Sequence, residues 1–275
     1  MSDFLEQMAA GSRRRLEAAR RVRSEAALLS AARALPAPPS LEASSLRFDL
    51  IAEMKLRSPA VGQLKAADSE DLETRVTAYA RAGAAAVSVL TEPSRFDGEL
   101  AHLERAAGAL GPLSVPAMRK DFLVDPYQVI EARVAGAGGV LVIVRMLSRE
   151  TAKALLDCAR SLGLFILLEA FDAADMDTMH ELAGPGVLAG LNCRDLTTLQ
   201  IVPQRLIELA ALLPSSVPRV AESGVTTPED AARVAAAGYE FALVGSALMQ
   251  VDDPATLASA MLAAGRRGAG SKRQS

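Results

Sequence analysis

Eight short apolar runs recur along this chain about 30 residues apart, the length of a strand, a helix and two short loops, and they leave few ways to fold it. They are Leu50-Ile51-Ala52, Ala86-Val87-Ser88-Val89-Leu90, Val115-Pro116-Ala117-Met118, Val140-Leu141-Val142-Ile143-Val144, Phe165-Ile166-Leu167-Leu168, Val187-Leu188-Ala189-Gly190-Leu191, Val217-Pro218-Arg219-Val220-Ala221 and Phe241-Ala242-Leu243-Val244. Amphipathic stretches at helical spacing alternate with them, over 69–82, 99–109, 126–136, 149–162, 173–183, 203–213, 227–237 and 253–264. Near-continuous apolar strands predict a parallel sheet covered on both faces.

Eight βα units in one domain predict an α/β fold, a closed (β/α)8 TIM barrel. A doubly wound open sheet is the alternative, but it calls for a glycine-rich phosphate turn after the first strand, which is missing here. The 275 residues, half of them hydrophobic, suffice for one large core, and the absence of Trp and scarcity of aromatics predict a core of small and branched aliphatics. Residues 1–48 read as an N-terminal helical extension and linker: an amphipathic helix over 1–33 that docks through Phe4, Leu5, Met8, Leu16 and Ala19, then Leu35-Pro36-Ala37-Pro38-Pro39. The barrel domain is expected over 49–265, and 266–275 as a disordered basic tail.

A net charge of -3 gives no electrostatic reason to bind nucleic acid or an anionic membrane surface. No apolar run is long enough to span a bilayer. Two cysteines, Cys158 and Cys193, are too few for a disulfide framework or a zinc site and fit a reduced cytoplasm. His102 and His180 fall on helical stretches, away from strand ends, so no imidazole catalysis and no metal are expected. The expected partner is a small anionic molecule, bound by a monomer or weak homo-oligomer without a cofactor.

In this barrel the active site lies where the C-terminal ends of the strands open into loops. The residues after the runs are Glu53 and Lys55; Glu92; Arg119, Lys120 and Asp121; Arg145; Glu169; Asn192 and Arg194; Glu222, Ser223 and Gly224; Gly245 and Ser246. The opposite ends, such as Gly139, Leu164 and Gly186, are bland. Gly224 and Gly245-Ser246 follow the seventh and eighth runs, where backbone amides and a helix start can hold a phosphate. Glu53, Lys55, Lys120, Glu169 and Glu222 converge on one mouth, and such crowding can part pKa values into an acid and a base. Cys193 reads as packing, since no histidine is placed to activate it.

These residues stand in recognisable motifs: Ile51-Ala-Glu-Met-Lys-Leu-Arg-Ser-Pro59, Ser88-Val-Leu-Thr-Glu92 with Phe96-Asp-Gly98, Arg119-Lys-Asp-Phe122, Leu168-Glu169, Leu191-Asn-Cys-Arg-Asp-Leu196, Ala221-Glu-Ser-Gly224 and Val244-Gly-Ser246. Taken in order, over about residues 45–255, they resemble the indole-3-glycerol phosphate synthase family. The resemblance implies a cofactor-free carboxy-lyase that closes a ring in 1-(2-carboxyphenylamino)-1-deoxyribulose 5-phosphate, then expels carbon dioxide and water, in tryptophan biosynthesis or in a specialised pathway supplied with indole. It implies Lys120 as general acid, Glu169 as general base, Glu53, Asn192 and Ser223 as positioning groups and Glu222 in a proton relay. Lys55, Gly224, Gly245 and Ser246 would hold the phosphate, and Ser58, Phe122 and Arg194 the carboxyphenyl end. Lys55 and Lys120 both remain open as the acid of the dehydration. Ala60 stands where the family usually has a serine. Two other readings are a phosphosugar isomerase acting on the neighbouring intermediate, phosphoribosylanthranilate isomerase, and a catalytically silent barrel.

Overall fold

In a computed structural model, which describes residues 3–58, 62–63, 71–195 and 198–271, the eight apolar runs become eight parallel strands. They are β1 (Asp49–Met54), β2 (Ala86–Leu90), β3 (Ala117–Lys120), β4 (Gly139–Ile143), β5 (Phe165–Ala170), β6 (Val187–Asn192), β7 (Arg219–Glu222) and β8 (Phe241–Val244). β1 pairs with both β2 and β8, so the sheet closes into a barrel and has no free edge. The main helices are α1 (Asp3–Val22), α2 (Glu25–Ala34), α3 (Leu72–Arg81), α4 (Leu100–Leu110), α5 (Pro126–Val134), α6 (Arg149–Ser161), α7 (Met176–Leu182), α8 (Gln204–Glu208), α9 (Pro228–Ala237) and α10 (Pro254–Ser271). Single helical turns follow β2, at Pro93–Phe96, and β8, at Ser246–Gln250.

The register decides which side chains meet inside. Glu53 pairs with Ser88 and Ser88 with Met118, while Glu169 pairs with Gly190 and Gly190 with Val220. Because the strands tilt, the side chain level with Glu53 on β3 is Lys120, two residues beyond Met118, and that level with Glu169 on β7 is Glu222. The interior is therefore a stack of rings, each built by alternate strands. One ring is Ile51, Met118, Leu167 and Val220, all buried and apolar. Above it come Ser88, Leu141, Gly190 and Leu243, and above those Glu53, Lys120, Glu169 and Glu222. Leu90, Ile143, Asn192 and Gly245 make the next ring. The change from hydrocarbon to charge falls at a single level, at the C-terminal end of the strands.

Outward-facing residues such as Val87, Val89, Ile166, Leu168 and Ala242 pack under the helices, where Val76, Tyr79, Leu103, Leu155 and Met261 bury their faces. Each such aliphatic side chain contributes roughly 1.5–3 kcal/mol by leaving water. The start of α9 is set by its sequence: Thr227 and Asp230 form a reciprocal capping box, and Pro228 occupies the first turn, where a missing N–H costs nothing.

The ends of the chain depart from expectation in two ways. The predicted single helix over 1–33 is two helices, because the Ser24 side chain accepts from Ala27 N at 3.3 Å and starts α2 afresh. Tyr127 OH donates to the carbonyls of Ala19 and Arg23 at the break. The basic tail expected from residue 266 is helical through Ser271. Its glycines are contact points: a Cβ at Gly265 would lie 2.0 Å from the Phe48 ring, and one at Gly268 2.3 Å from the Ala232 carbonyl. Arg266 then reaches Phe48 O and Asp49 at 3.2 and 3.0 Å. Residues 272–275 lie outside the described residues.

Candidate active site

The charged ring is joined through one ammonium. Lys120 Nζ donates to Glu169 Oε2 at 3.0 Å and to Glu222 Oε2 at 3.1 Å, and on the other side of the ring Lys55 Nζ donates to Glu53 Oε1 at 2.5 Å. Burial disfavours the Lys120 charge, but Glu169, Glu222 and Glu53 outweigh it and hold the ammonium above its ordinary pKa. Burial likewise opposes the Glu53 charge, and Lys55, Lys120 and Arg194 overcome that to hold the carboxyl below its usual range. Glu222 goes the other way: burial, then the neighbouring Glu169 charge, push it well above the usual range despite Lys120. Two carboxylates of one ring are thus tuned in opposite directions, the condition for an acid and a base side by side.

Two glycines make this packing possible. A Cβ at Gly190 would sit 2.2 Å from Glu222 Oε1, and one at Gly245 would sit 2.3 Å from Glu53 Oε1 and 2.9 Å from Lys55 Nζ. Neither position has room for a side chain while the carboxylates stay where they are.

Above the ring opens a cleft of about 1010 Å³, counting the solvent it opens to. Glu53, Lys55, Lys120, Phe122, Glu169, Asn192, Arg194, Glu222, Ser223, Gly224, Gly245 and Ser246 all line it. Ser58 alone of the expected site residues is not placed there; its backbone forms the short hairpin with Gly62–Gln63, and its side chain, like Ala60, lies outside the described residues. Ser223 and Gly224 turn the chain through the left-handed region, at φ 64° and 71°, so that the loop after β7 bends over the cleft. The Gly224 Cβ position is 3.0 Å from Cys193 Sγ, so the loop packs on that thiol. Cys193 is buried, and burial raises its pKa to about 11, which leaves it a packing group. Asn192 Oδ1 accepts from Arg194 N at 3.1 Å, and the Arg194 guanidinium donates to Leu199 O at 2.8 Å.

Of the other polar strand-end residues, Asp121 also lines the cleft, whereas Arg119, Glu92 and Arg145 turn away from it. Arg119, next to Lys120, points out of the barrel and donates to Gln128 O, Thr91 and Asp121. Glu92 caps the turn after β2 by accepting from Ser94 N and Arg95 N. Arg145 pairs with Asp172 and Asp175 and lies 5.1 Å from the Phe171 ring centre.

The cleft also has walls that strand-end reasoning does not reach. Leu90, Ile143 and Phe171 line it, as do Phe4 and Leu5 from α1 and Phe96 from the turn after β2. Phe122 stands between Phe4 and Phe96, with ring centres 5.9 and 6.2 Å away. Extending the ring alternation by one residue would have found Leu90 and Ile143. Phe96 was visible as the aromatic of Phe96-Asp97-Gly98, whereas the place of Phe4 follows only from the docking of α1. An aromatic slot beside a lysine held between two carboxylates suits a flat apolar group on one side and proton transfer on the other.

Fold and cleft together define a (β/α)8 barrel whose mouth holds an aromatic wall and a ring of paired lysines and carboxyls. Solved structures agree on the fold: 3-hexulose-6-phosphate synthase from Salmonella typhimurium superposes with a TM-score of 0.61 at 12% identity, over 80% of this chain and 100% of that one. Thiamine phosphate pyrophosphorylase from Pyrococcus furiosus gives 0.58 at 15% identity, over 81% and 97%. The sequence profile of indole-3-glycerol phosphate synthase matches residues 5–261, and the chain belongs to that family. Its relatives include the indole-3-glycerol phosphate synthases of Parafrankia sp. (strain EAN1pec), 39% identical over 95% of this chain and 96% of that protein, and of Leifsonia xyli subsp. xyli (strain CTCB07), 40% identical over 93% and 96%. That of Nocardioides sp. (strain ATCC BAA-499 / JS614) is 44% identical over 74% and 76%.

Proposed function

We propose that this protein converts 1-(2-carboxyphenylamino)-1-deoxyribulose 5-phosphate into indole-3-glycerol phosphate, carbon dioxide and water, a carboxy-lyase step of tryptophan biosynthesis. The observation that carries this reading is Lys120, held at 3.0 and 3.1 Å between Glu169 and Glu222 at the base of the cleft. In the first step the ring carbon bearing the carboxylate attacks the ketone carbon, and Lys120 gives its proton to the ketone oxygen. The bond to the carboxylate then breaks, and its electrons restore the aromatic ring as carbon dioxide leaves. In the last step the new hydroxyl departs with a proton from Lys55 or Lys120, while Glu169 takes a proton from the methylene carbon beside nitrogen. Glu222 returns a proton to Lys120.

The cations of the cleft favour this substrate. Lys55, Lys120 and Arg194 line it together with Glu53, Asp121, Glu169 and Glu222. The three cations are the groups that can pair with the phosphate and carboxylate as they enter. Lys55 and the backbone of Gly224, Gly245 and Ser246 take the phosphate. Phe122, Arg194 and Ser58 take the carboxyphenyl end, and Glu53, Asn192 and Ser223 position the reacting carbons. The reading places the enzyme in the cytoplasm, in keeping with two free thiols and, among the described residues, no helix long and apolar enough to cross a membrane.

Purified protein given the substrate is expected to generate indole fluorescence, and Lys120→Ala to lower turnover about a hundredfold or more. Comparing Lys55→Ala with Lys120→Ala for build-up of the decarboxylated, still hydrated intermediate decides which lysine serves the dehydration. Unchanged turnover in Lys120→Ala overturns the reading.

A further inference from the structure

Two residues beyond each member of the charged ring, the inward alternation runs past the strand ends to Lys55, Phe122, Phe171 and Gly224, and all four line the cleft. β1 and β5 stand opposite each other in the barrel, so Lys55 and Phe171 come from facing sides of the mouth. The side of Lys55 is the one given to the phosphate. On the far side Phe171 joins Phe122 and Ile143 in the apolar cluster of the barrel interior and is only 2% exposed. A residue past the end of its strand has no sheet ladder to fix it, and Phe171 is fixed by other means.

Asp175, just before α7, accepts from Phe171 N at 2.8 Å and so holds the backbone. The same buried carboxylate takes the Arg145 guanidinium, from Nε at 3.1 Å to each oxygen and from Nη2 at 2.7 Å. Asp172 lies 2.7 Å from that Nη2. Held by two carboxylates, the guanidinium lies over the Phe171 ring, 5.1 Å from its centre. Phe171 lines the cleft and Arg145 does not, so the guanidinium backs the ring from outside. Arginine suits both tasks, since its planar fork bridges carboxylates and its face stacks on a ring, where a lysine offers a point charge.

We infer that Phe171 is a specificity-determining wall that packs against the aromatic ring of the carboxyphenyl end, and that Arg145, braced by Asp172 and Asp175, is the positioning residue that holds it there. The inference rests on the substrate proposed above. A side chain fixed at its backbone by Asp175 and at its ring by Arg145 meets a flat ligand with little freedom left to lose, which favours binding. Phe171 therefore acts on affinity for the aromatic end, and Arg145 acts through Phe171.

The test compares the full chain as wild type, Phe171→Leu, Arg145→Met and the double variant. Titration with 2-(methylamino)benzoate, a fluorescent fragment carrying the aromatic end alone, is expected to show about tenfold weaker binding in Phe171→Leu, as the loss of one aromatic contact does, and a smaller loss in Arg145→Met. Ribulose 5-phosphate, which lacks the ring, should bind all four proteins alike by calorimetry. The double variant should bind the fragment no worse than Phe171→Leu, because Arg145 then has no ring left to position. With the full substrate, KM should rise in the same order, with a much smaller change in kcat. Lowered thermal stability of Arg145→Met with its fragment affinity unmoved, or losses that add in the double variant, overturn the role of Arg145. Unchanged fragment binding in Phe171→Leu, or no fragment binding by the wild type, overturns the wall. A wild type that binds the fragment through Phe171 yet does not turn over the substrate would sink the proposed reaction and leave the wall standing.

Discussion

Arg119 and Lys120 are neighbours on β3, yet they serve two clusters of charge that behave as opposites. Arg119 points out between sheet and helix, where it donates to Gln128 O at 2.9 Å, to Asp121 and Thr91 at 3.2 Å and to Glu131 at 3.4 Å. Asp121 in turn accepts from Thr91, Phe122 N and Arg15. The acceptors there are neutralised or bonded several times over. Lys120 points inward to Glu169 and Glu222, and its cluster leaves Glu222 Oε1 unpaired and Glu222 with a strongly raised pKa. A buried cluster that answers its own charges locks an element in place. One that leaves a proton and an oxygen in contention is suited to move protons.

If the division is real, the largest effect of disturbing the outer cluster falls on stability. Arg119→Met removes the buried cation beside Asp121 and Glu131, leaves Asp121 to Arg15, Thr91 and Phe122 N, and is expected to cost about 1.5–3 kcal/mol by urea unfolding. The same experiment on Lys120→Ala should show a far smaller loss, since Glu169 and Glu222 can share a proton, while turnover falls about a hundredfold or more. Equal losses of stability in both variants would erase the distinction.

Next in size is Gly190→Ala. The added methyl would meet Glu222 Oε1 at 2.2 Å and Leu167 at 2.9 Å. Overpacking of this kind costs about 1–3 kcal/mol, and pushing Glu222 from Lys120 should lower kcat more than it raises KM. A smaller effect, and one that tests the two tunings directly, is the pH dependence of stability. Glu53 is held below its ordinary 4.5, so its contribution is present above that pH and is lost as pH falls through the folded-state value. Glu222 is raised above 4.5, so the folded state keeps a proton that the unfolded chain gives up, and stability declines as pH rises from 4.5 towards the folded-state value. Glu53→Gln should therefore flatten the acid side of the stability curve and Glu222→Gln the side above it, which thermal unfolding across pH will show.

Much of this was legible in the chain. The charged ring could be named because its members follow apolar runs, and a parallel barrel sends alternate strand-end residues to one mouth. What failed was orientation: Arg119 stands one step out of the alternation, and one step on a strand is the other face, while Glu92 and Arg145 lie past the strand ends, in the helical turns Pro93–Phe96 and Val144–Met146 that redirect them. Gly190 looked like an ordinary strand residue, because its meaning lies in its register with β7, which brings Glu222 against it. Phe4 meets Phe122 across 118 positions of sequence only because α1 docks on the barrel. The basic tail was misread for a related reason, since Gly265 and Gly268 resemble linker residues until Phe48 and Ala232 are brought against them.

The mildest probe is at the boundary of the two clusters. Arg15 of α1 donates to Asp121 at 2.6 Å and lies 3.6 Å from Glu92, but its side chain is 30% exposed. Asp121 keeps Arg119, Thr91 and Phe122 N without it, so Arg15→Ala leaves no charge stranded and is expected to cost about 1 kcal/mol or less. If the outer cluster only anchors, kcat of this variant stays at the wild-type value, because the Lys120 contacts lie on the other face of β3. A tenfold fall in kcat at unchanged stability would mean that α1 reaches Lys120 through Asp121, and that the two clusters are one.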